Sequence, residues 1–180
     1  MPSLVERGRV SHMFVDDFAQ HSKVLHIMTA DFARAVPDER WDFTPVPPGS
    51  SGRPPAASRL GDGFGPFSKQ LRHVVCVRGV HNDALATGKL DWSKKHEHYT
   101  GPLEREPLLD ALEHEQQELL SLLAEAHPEI TIDWDGFPFS LAMFAGDFVQ
   151  HEAIHHGQWS VYAAVAGFDT PLSWRQSWKL

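Results

Sequence analysis

Four long segments of this chain return an apolar side chain every three or four residues, the repeat of one face of an α-helix. The first covers roughly Ser11 to Val36, with Val15, Phe18, Ser22, Leu25, Thr29 and Phe32 on one stripe, and Pro37 closes it. The second runs from about Pro66, a suitable first helical residue, to Gly88 and carries Phe67, Leu71, Val74, Val75 and Leu85. The third starts near Glu106-Pro107, carries Leu108, Leu109, Leu112, Leu119, Leu120 and Leu123, and stops before Pro128. The fourth runs from about Pro138 to Gly167, a C′ glycine. Such stripes must be buried against one another, so the expectation is one all-α domain over residues 1–180, an antiparallel four-helix bundle. No strands are expected, because Glu129-Ile130-Thr131-Ile132-Asp133 is too short and isolated to make a sheet. Residues 44–65 are dense in Pro, Gly and Ser and read as a mobile surface loop.

The formal net charge of −8, with no basic run, argues against a nucleic-acid partner and against electrostatic attachment to a membrane. Nowhere do 18 apolar residues run together, and Met1 to Arg7 lack a secretory apolar region. A single cysteine, Cys76, cannot form an internal disulfide, which fits a reducing cytoplasm. The expected partner is a small-molecule substrate, and a homodimer through an exposed helix face is compatible with a bundle.

The 12 histidines carry the chemistry. On the fourth helix the apolar stripe reads Leu141, Phe144, Phe148, then His151 and His155, then Trp159 and Tyr162. Two imidazoles four residues apart sit one turn apart on one face, so both can reach one metal ion. Burying them without a ligand would leave ring nitrogens in need of partners. His151-Glu152-Ala153-Ile154-His155 also matches H-E-x-x-H, the zinc protease signature. The extended form fails, since Gln158 and Val161 stand where Gly and His belong, and no Glu follows Glu152. A third ligand therefore lies upstream, at His73, His81 or Asp147; for Asp147 a capping or solvated role is favoured, because three ligands spaced four apart drift around the helix.

Leu71-Arg72-His73-Val74-Val75, followed by His151-Glu152-Ala153-Ile154-His155-His156-Gly157-Gln158, resembles the DinB-like (YfiT-related) family. Arg40-Trp41-Asp42-Phe43 before the second helix, and Gly167 to Pro171 and Trp174 after the fourth, extend the resemblance in the same order over nearly the whole chain. The resemblance implies a four-helix bundle and a metal held by His73, His151 and His155. Three neutral imidazoles leave positions open for water or substrate, the pattern of a catalytic site. Zinc is the first choice, while nickel, iron and manganese also suit nitrogen ligands. It further implies a thiol-dependent transferase or isomerase that takes a low-molecular-weight thiol, or a protein that binds metal without catalysis, as in a stress response. Metal-assisted hydrolysis with Glu152 as general base is the alternative chemistry; a structural role for Glu152 is favoured over it. Cys76 reads as a core residue, His96 and His98 as solvated, and Trp92 and Tyr99 as candidates for a pocket mouth.

Overall fold

The computed structural model describes residues 4–45, 65–127 and 129–179. The four expected helices are there as α1 (Leu4–Ala35), α2 (Phe67–Thr87), α3 (Arg105–Glu125) and α4 (Leu141–Ala166), and a short α5 (Leu172–Trp178) follows. The expected loop at 44–65 lies almost wholly outside the described residues. Glycine ends both α2 and α4: Gly88 and Gly167 take φ of 73° and 80°, a left-handed conformation that costs a residue with a Cβ. The Ser140 hydroxyl accepts from Met143 N and caps the start of α4.

Cross-helix contacts give each helix its direction. Phe18 meets Phe144 and Phe148 while Phe32 meets Trp159, so α1 and α4 run parallel. Gln70 bonds Trp159 while His81 bonds Asp147, so α2 opposes α4. His26 meets Glu113 while Ser22 meets Gln116, so α3 opposes α1. The order is therefore up, down, down, up: neighbours α2 and α3 point the same way, and the bundle is antiparallel only across its α1–α3 and α2–α4 faces.

Two parallel helices in succession need a connection that climbs back along the bundle. Residues 88–104 make it, with a 3-10 turn at Trp92–Glu97 laid against α2. Asp91 caps this turn by accepting from Ser93 N at 2.9 Å. Farther along, the His98 side chain lies against Gly79 of α2, where any Cβ would overlap it. A glycine in mid-helix is thus explained by close approach rather than by backbone freedom.

The absence of strands expected from the sequence is corrected. β1 (Thr131–Trp134) and β2 (Phe137–Ser140) form an antiparallel hairpin, and α4 starts after it rather than at Pro138. Asp135 and Gly136, at φ 48° and 86°, make the two-residue turn with both centres left-handed that suits the twist of paired strands. Nor is the segment isolated. Leu90 N donates to Asp133 O at 2.9 Å, Asp133 N donates to Gly88 O at 2.8 Å, and Ile132 is buried in the core.

The core has two apolar layers. One holds Phe32, Phe67, Trp159 and Trp174, with α5 closing that end through Trp174 Nε1, which donates to Met28 O at 2.7 Å. The other gathers Phe18, Leu85, Leu119, Leu123, Phe144 and Phe148 over the hairpin. A belt of buried polar groups lies between them. No helix among the described residues is long and apolar enough to cross a membrane.

Replacing Gly79 by Ala should push the 92–98 segment off α2 and destabilise the fold by about 1–3 kcal/mol, as overpacking does. Urea unfolding and hydrogen exchange of that segment check it; an unchanged midpoint with unchanged protection would contradict the packing described.

Candidate metal centre

The polar belt is organised by a buried ion pair. Arg78 on α2 and Glu152 on α4 are each about 99% buried, at 1% relative exposure. Arg78 donates from Nε to Glu152 Oε1 at 2.5 Å and from Nη2 to Oε2 at 2.9 Å, the two-pronged geometry that suits a guanidinium. The third guanidinium nitrogen donates to Gln116 Oε1 at 3.1 Å, and Gln116 in turn donates to Ser22 Oγ at 3.1 Å. Thr29 Oγ1 donates to Glu152 Oε2 at 3.1 Å and lies 2.8 Å from His156 Nε2. The hydroxyl has only one proton, and a carboxylate only accepts, so His156 donates from Nε2 to Thr29. Burial opposes the charge on Glu152, but Arg78 outweighs it and holds that carboxyl down at about 2. All four long helices contribute to this belt.

Fixing Glu152 fixes the rotation of α4 and turns its neighbours in sequence toward α2. His73, His151 and His155 converge there, one ring nitrogen from each lying within 4.8 Å of the others. Ring centroids are 5.1 Å apart for His73–His151, 5.1 Å for His73–His155 and 4.7 Å for His151–His155. His73 Nε2 and His151 Nε2 are 3.0 Å apart. Nitrogens bound to one ion at about 2.0–2.1 Å lie about 3.0–3.4 Å from each other, so the pair fits a shared metal as well as it fits a hydrogen bond. Burial, aided by the positive forms of His155 and His73, pushes His151 down to about 2, and burial lowers His155 as well. Both rings are thus neutral near pH 7, the form that ligates. His155 Nδ1 is sealed from solvent without a hydrogen bond of good geometry. Gln158, one turn on, acts on that ring in favour of its protonated form.

The other upstream candidates stand elsewhere. His81 is buried and places Nδ1 2.8 Å from Val77 O and Nε2 3.1 Å from Asp147 Oδ2, so it pairs with Asp147 instead of joining the triad. Cys76 is buried, and burial raises its thiol, which leaves it a poor nucleophile. His96 is exposed, but His98 is half-buried against Gly79 and 3.5 Å from Asp83, which corrects its reading as solvated. Trp92 packs on His81 and Trp134, and the Tyr99 hydroxyl donates to Pro102 O at 2.6 Å. Sequence reasoning missed two residues at this site. Arg78 left a readable signal, a lone charge inside the apolar run Val74 to Val80. Lys95, whose Nζ lies 3.5 Å from His73 Nδ1, left none, because only the path of the crossover brings it there.

A four-helix bundle with one imidazole on its second long helix and two on its fourth is what the family resemblance implies. The profile of the DinB superfamily matches residues 26–159, and the chain belongs to that superfamily. It is similar in fold to a DinB-like protein of Bacillus subtilis, YjoA: the TM-score is 0.60 at 13% identity, covering 87% of this chain and 97% of that one. No curated protein matches it.

Two outcomes follow from the belt. Arg78→Met leaves the Glu152 charge buried and uncompensated and should cost about 3–5 kcal/mol, whereas Arg78→Met with Glu152→Met should recover most of that loss. Equal losses in the single and double variants by urea unfolding would contradict the pairing. Burial also lowers His156, from 6.5 to about 4. Unfolded histidines take up protons that this buried ring refuses, so stability should fall as pH drops from 6.5 towards 4. Glu152 should add a further loss between 4.5 and 2. Denaturation in chelator across this range checks it; a curve flat from 6.5 to 4 would contradict it.

Proposed function

We propose that this DinB-superfamily protein is a metal-dependent enzyme acting on a small molecule, with one divalent ion held by His73, His151 and His155 and a low-molecular-weight thiol as the activated group, in S-transfer or isomerisation. The observation that carries this reading is the convergence of three imidazoles from two helices within 4.8 Å, next to a bundle interior whose carboxylates already have partners. The fit rests on the donors themselves: His151 and His155 held neutral by burial, a 3.0 Å pair of Nε2 atoms on His73 and His151, and a buried His155 Nδ1 without a hydrogen bond. An ion held by three imidazoles keeps positions open and supplies the Lewis acidity that turns a thiol into its reactive thiolate near neutral pH. The protein's own residues hold the triad in register: Glu152 and Arg78 orient α4, and Gln158 sits beside His155. Zinc is the metal to test first, with nickel, iron and manganese next.

A thiol supplied from outside suits a chain whose one cysteine, Cys76, is buried with its thiol raised. Hydrolysis with Glu152 as base is less well supported, because both carboxylate oxygens are taken by Arg78 and Thr29 and the group is held at about 2. A general base at neutral pH needs a pKa far closer to 7.

Protein purified without an affinity tag should carry about one metal per chain, lost in His73→Ala and in His151→Ala, and the loaded protein should transfer small thiols to electrophiles. Metal kept in His73→Ala would remove that residue from the ligand set. Metal bound with neither thiol transfer nor ester or amide cleavage would favour a non-catalytic metal-binding role, and no metal uptake at all would sink the reading.

A further inference from the structure

Among the four long helices, α4 alone exposes no charged side chain. Its two acids, Asp147 and Glu152, are paired with His81 and Arg78. Met143, Ile154, Val161 and Val165 instead stand on its surface, each more than half exposed. At 3.6 residues per turn, these four lie within about 40° of one line along the helix. A surface helix sets charged residues opposite its buried face, whereas one that is apolar all round belongs in an interior. Val24 and Ile27, each about half exposed on the neighbouring α1, continue the apolar surface.

Two glycines of α4 have no use within the fold. Gly79 on α2 makes room for His98, but a Cβ at Gly146 or Gly157 would meet nothing within 4 Å among the described residues. Neither takes a left-handed conformation. A glycine in mid-helix weakens the helix, and close approach of another backbone is the remaining reason for one. Each glycine lines an open groove. The one beside Gly146 is about 400 Å³ and is walled by Phe14 and Phe18 of α1; the one beside Gly157 is about 340 Å³ and is walled by Trp178.

The order of these residues decides what covers them. Met143 and Val161 each stand nine residues from Glu152, Gln150 and Ile154 each two, and Gly146 and Gly157 six and five. The stripe reads nearly alike in both directions, the self-complementarity that a two-fold contact requires. An axis at the level of Glu152 sets Met143 against the partner's Val161 and Gln150 against the partner's Ile154, with glycine facing glycine. Phe18 meets Phe144 and Phe148 while Phe32 meets Trp159, which puts that level near Leu25 on α1, between Val24 and Ile27. The same axis therefore brings these two residues opposite their own copies. Two chains of net charge −8 repel, and an uncharged face is where they meet at least cost. From Met143 to Val165, α4 is about 33 Å long, and with α1 about 10 Å away the face covers roughly 650 Å². A stable interface takes about 600–1,000 Å² from each partner.

We propose that α4, with α1 beside it, is the contact face of a homodimer in which two α4 helices cross antiparallel about a two-fold axis at Glu152. The proposal stands apart from the metal reading.

Sedimentation equilibrium of the full chain over a range of concentrations tests it. The wild type should reach twice the mass of one chain. Ile154→Glu places two like charges near the axis and should weaken the dimer at least ~10-fold, whereas Ser121→Glu on the exposed face of α3 should leave it unchanged. Gly146→Ala should raise the urea midpoint of the dissociated chain, because alanine favours a helix with room for its Cβ, and yet make the dimer dissociate more readily. A wild type that stays monomeric throughout would overturn the proposal and leave the face to a different partner. A dimer as tight in Ile154→Glu as in wild type would overturn it in favour of another face, and a dimer tightened by Gly146→Ala would contradict the close approach. Should Ile154→Glu lose its helical circular dichroism, Gly146→Ala carries the test alone.

Discussion

Arg78 and Glu152 form the one interaction on which the interior of this bundle depends. A buried guanidinium and a buried carboxylate are each costly to desolvate, and such a pair holds only where geometry and further hydrogen bonds satisfy the remaining groups. Here Ser22 and Thr29 on α1, Gln116 on α3 and His156 on α4 supply them, so that with Arg78 on α2 every long helix takes part. A shift of any helix along its axis would break a bond inside a dry layer, so the pair sets rotation and height where two apolar layers alone would tolerate sliding. Specificity of packing is a better description of its role than stability, since an apolar pair of the same volume can be as stable.

The candidate metal centre inherits its order from that layer. Glu152 lies one residue after His151 and three before His155, about 100° around the helix from its first neighbour. Holding Glu152 towards Arg78 therefore commits His151 and His155 to the face that meets His73. The H-E-x-x-H spelling is shared with zinc proteases, yet the glutamate is spent on architecture here. A base would have to face the ion and keep a pKa near neutrality, while this carboxylate is enclosed and held at about 2.

Much of this was legible in the sequence, and the rest was hidden for physical reasons. The four helices follow from apolar periodicity, and the placing of His151 and His155 on a core stripe announced a polar function within the core. Choosing His73 over His81 needed the family resemblance, because both lie on the apolar side of α2 and periodicity does not say which ring finds a carboxylate partner; Asp147 takes His81. The hairpin was misread although Asp135-Gly136 between Trp134 and Phe137 is a strong turn signal. Its stability comes from Gly88 and Leu90 and from the burial of Ile132, contacts remote in sequence. His98 reads as solvated in the sequence, and Lys95 leaves no signal, because their surroundings depend on the crossover, which follows from α2 and α3 running parallel, and helix direction is not written in a periodicity.

X-ray absorption of the protein loaded with one equivalent of zinc tests the central claim most directly. The account predicts a first shell with three imidazole nitrogens at about 2.0–2.1 Å, completed by oxygen and containing no sulfur from the chain. A shell dominated by carboxylate oxygen, one containing a sulfur at about 2.3 Å in the absence of added thiol, or one with fewer than three imidazoles would contradict it.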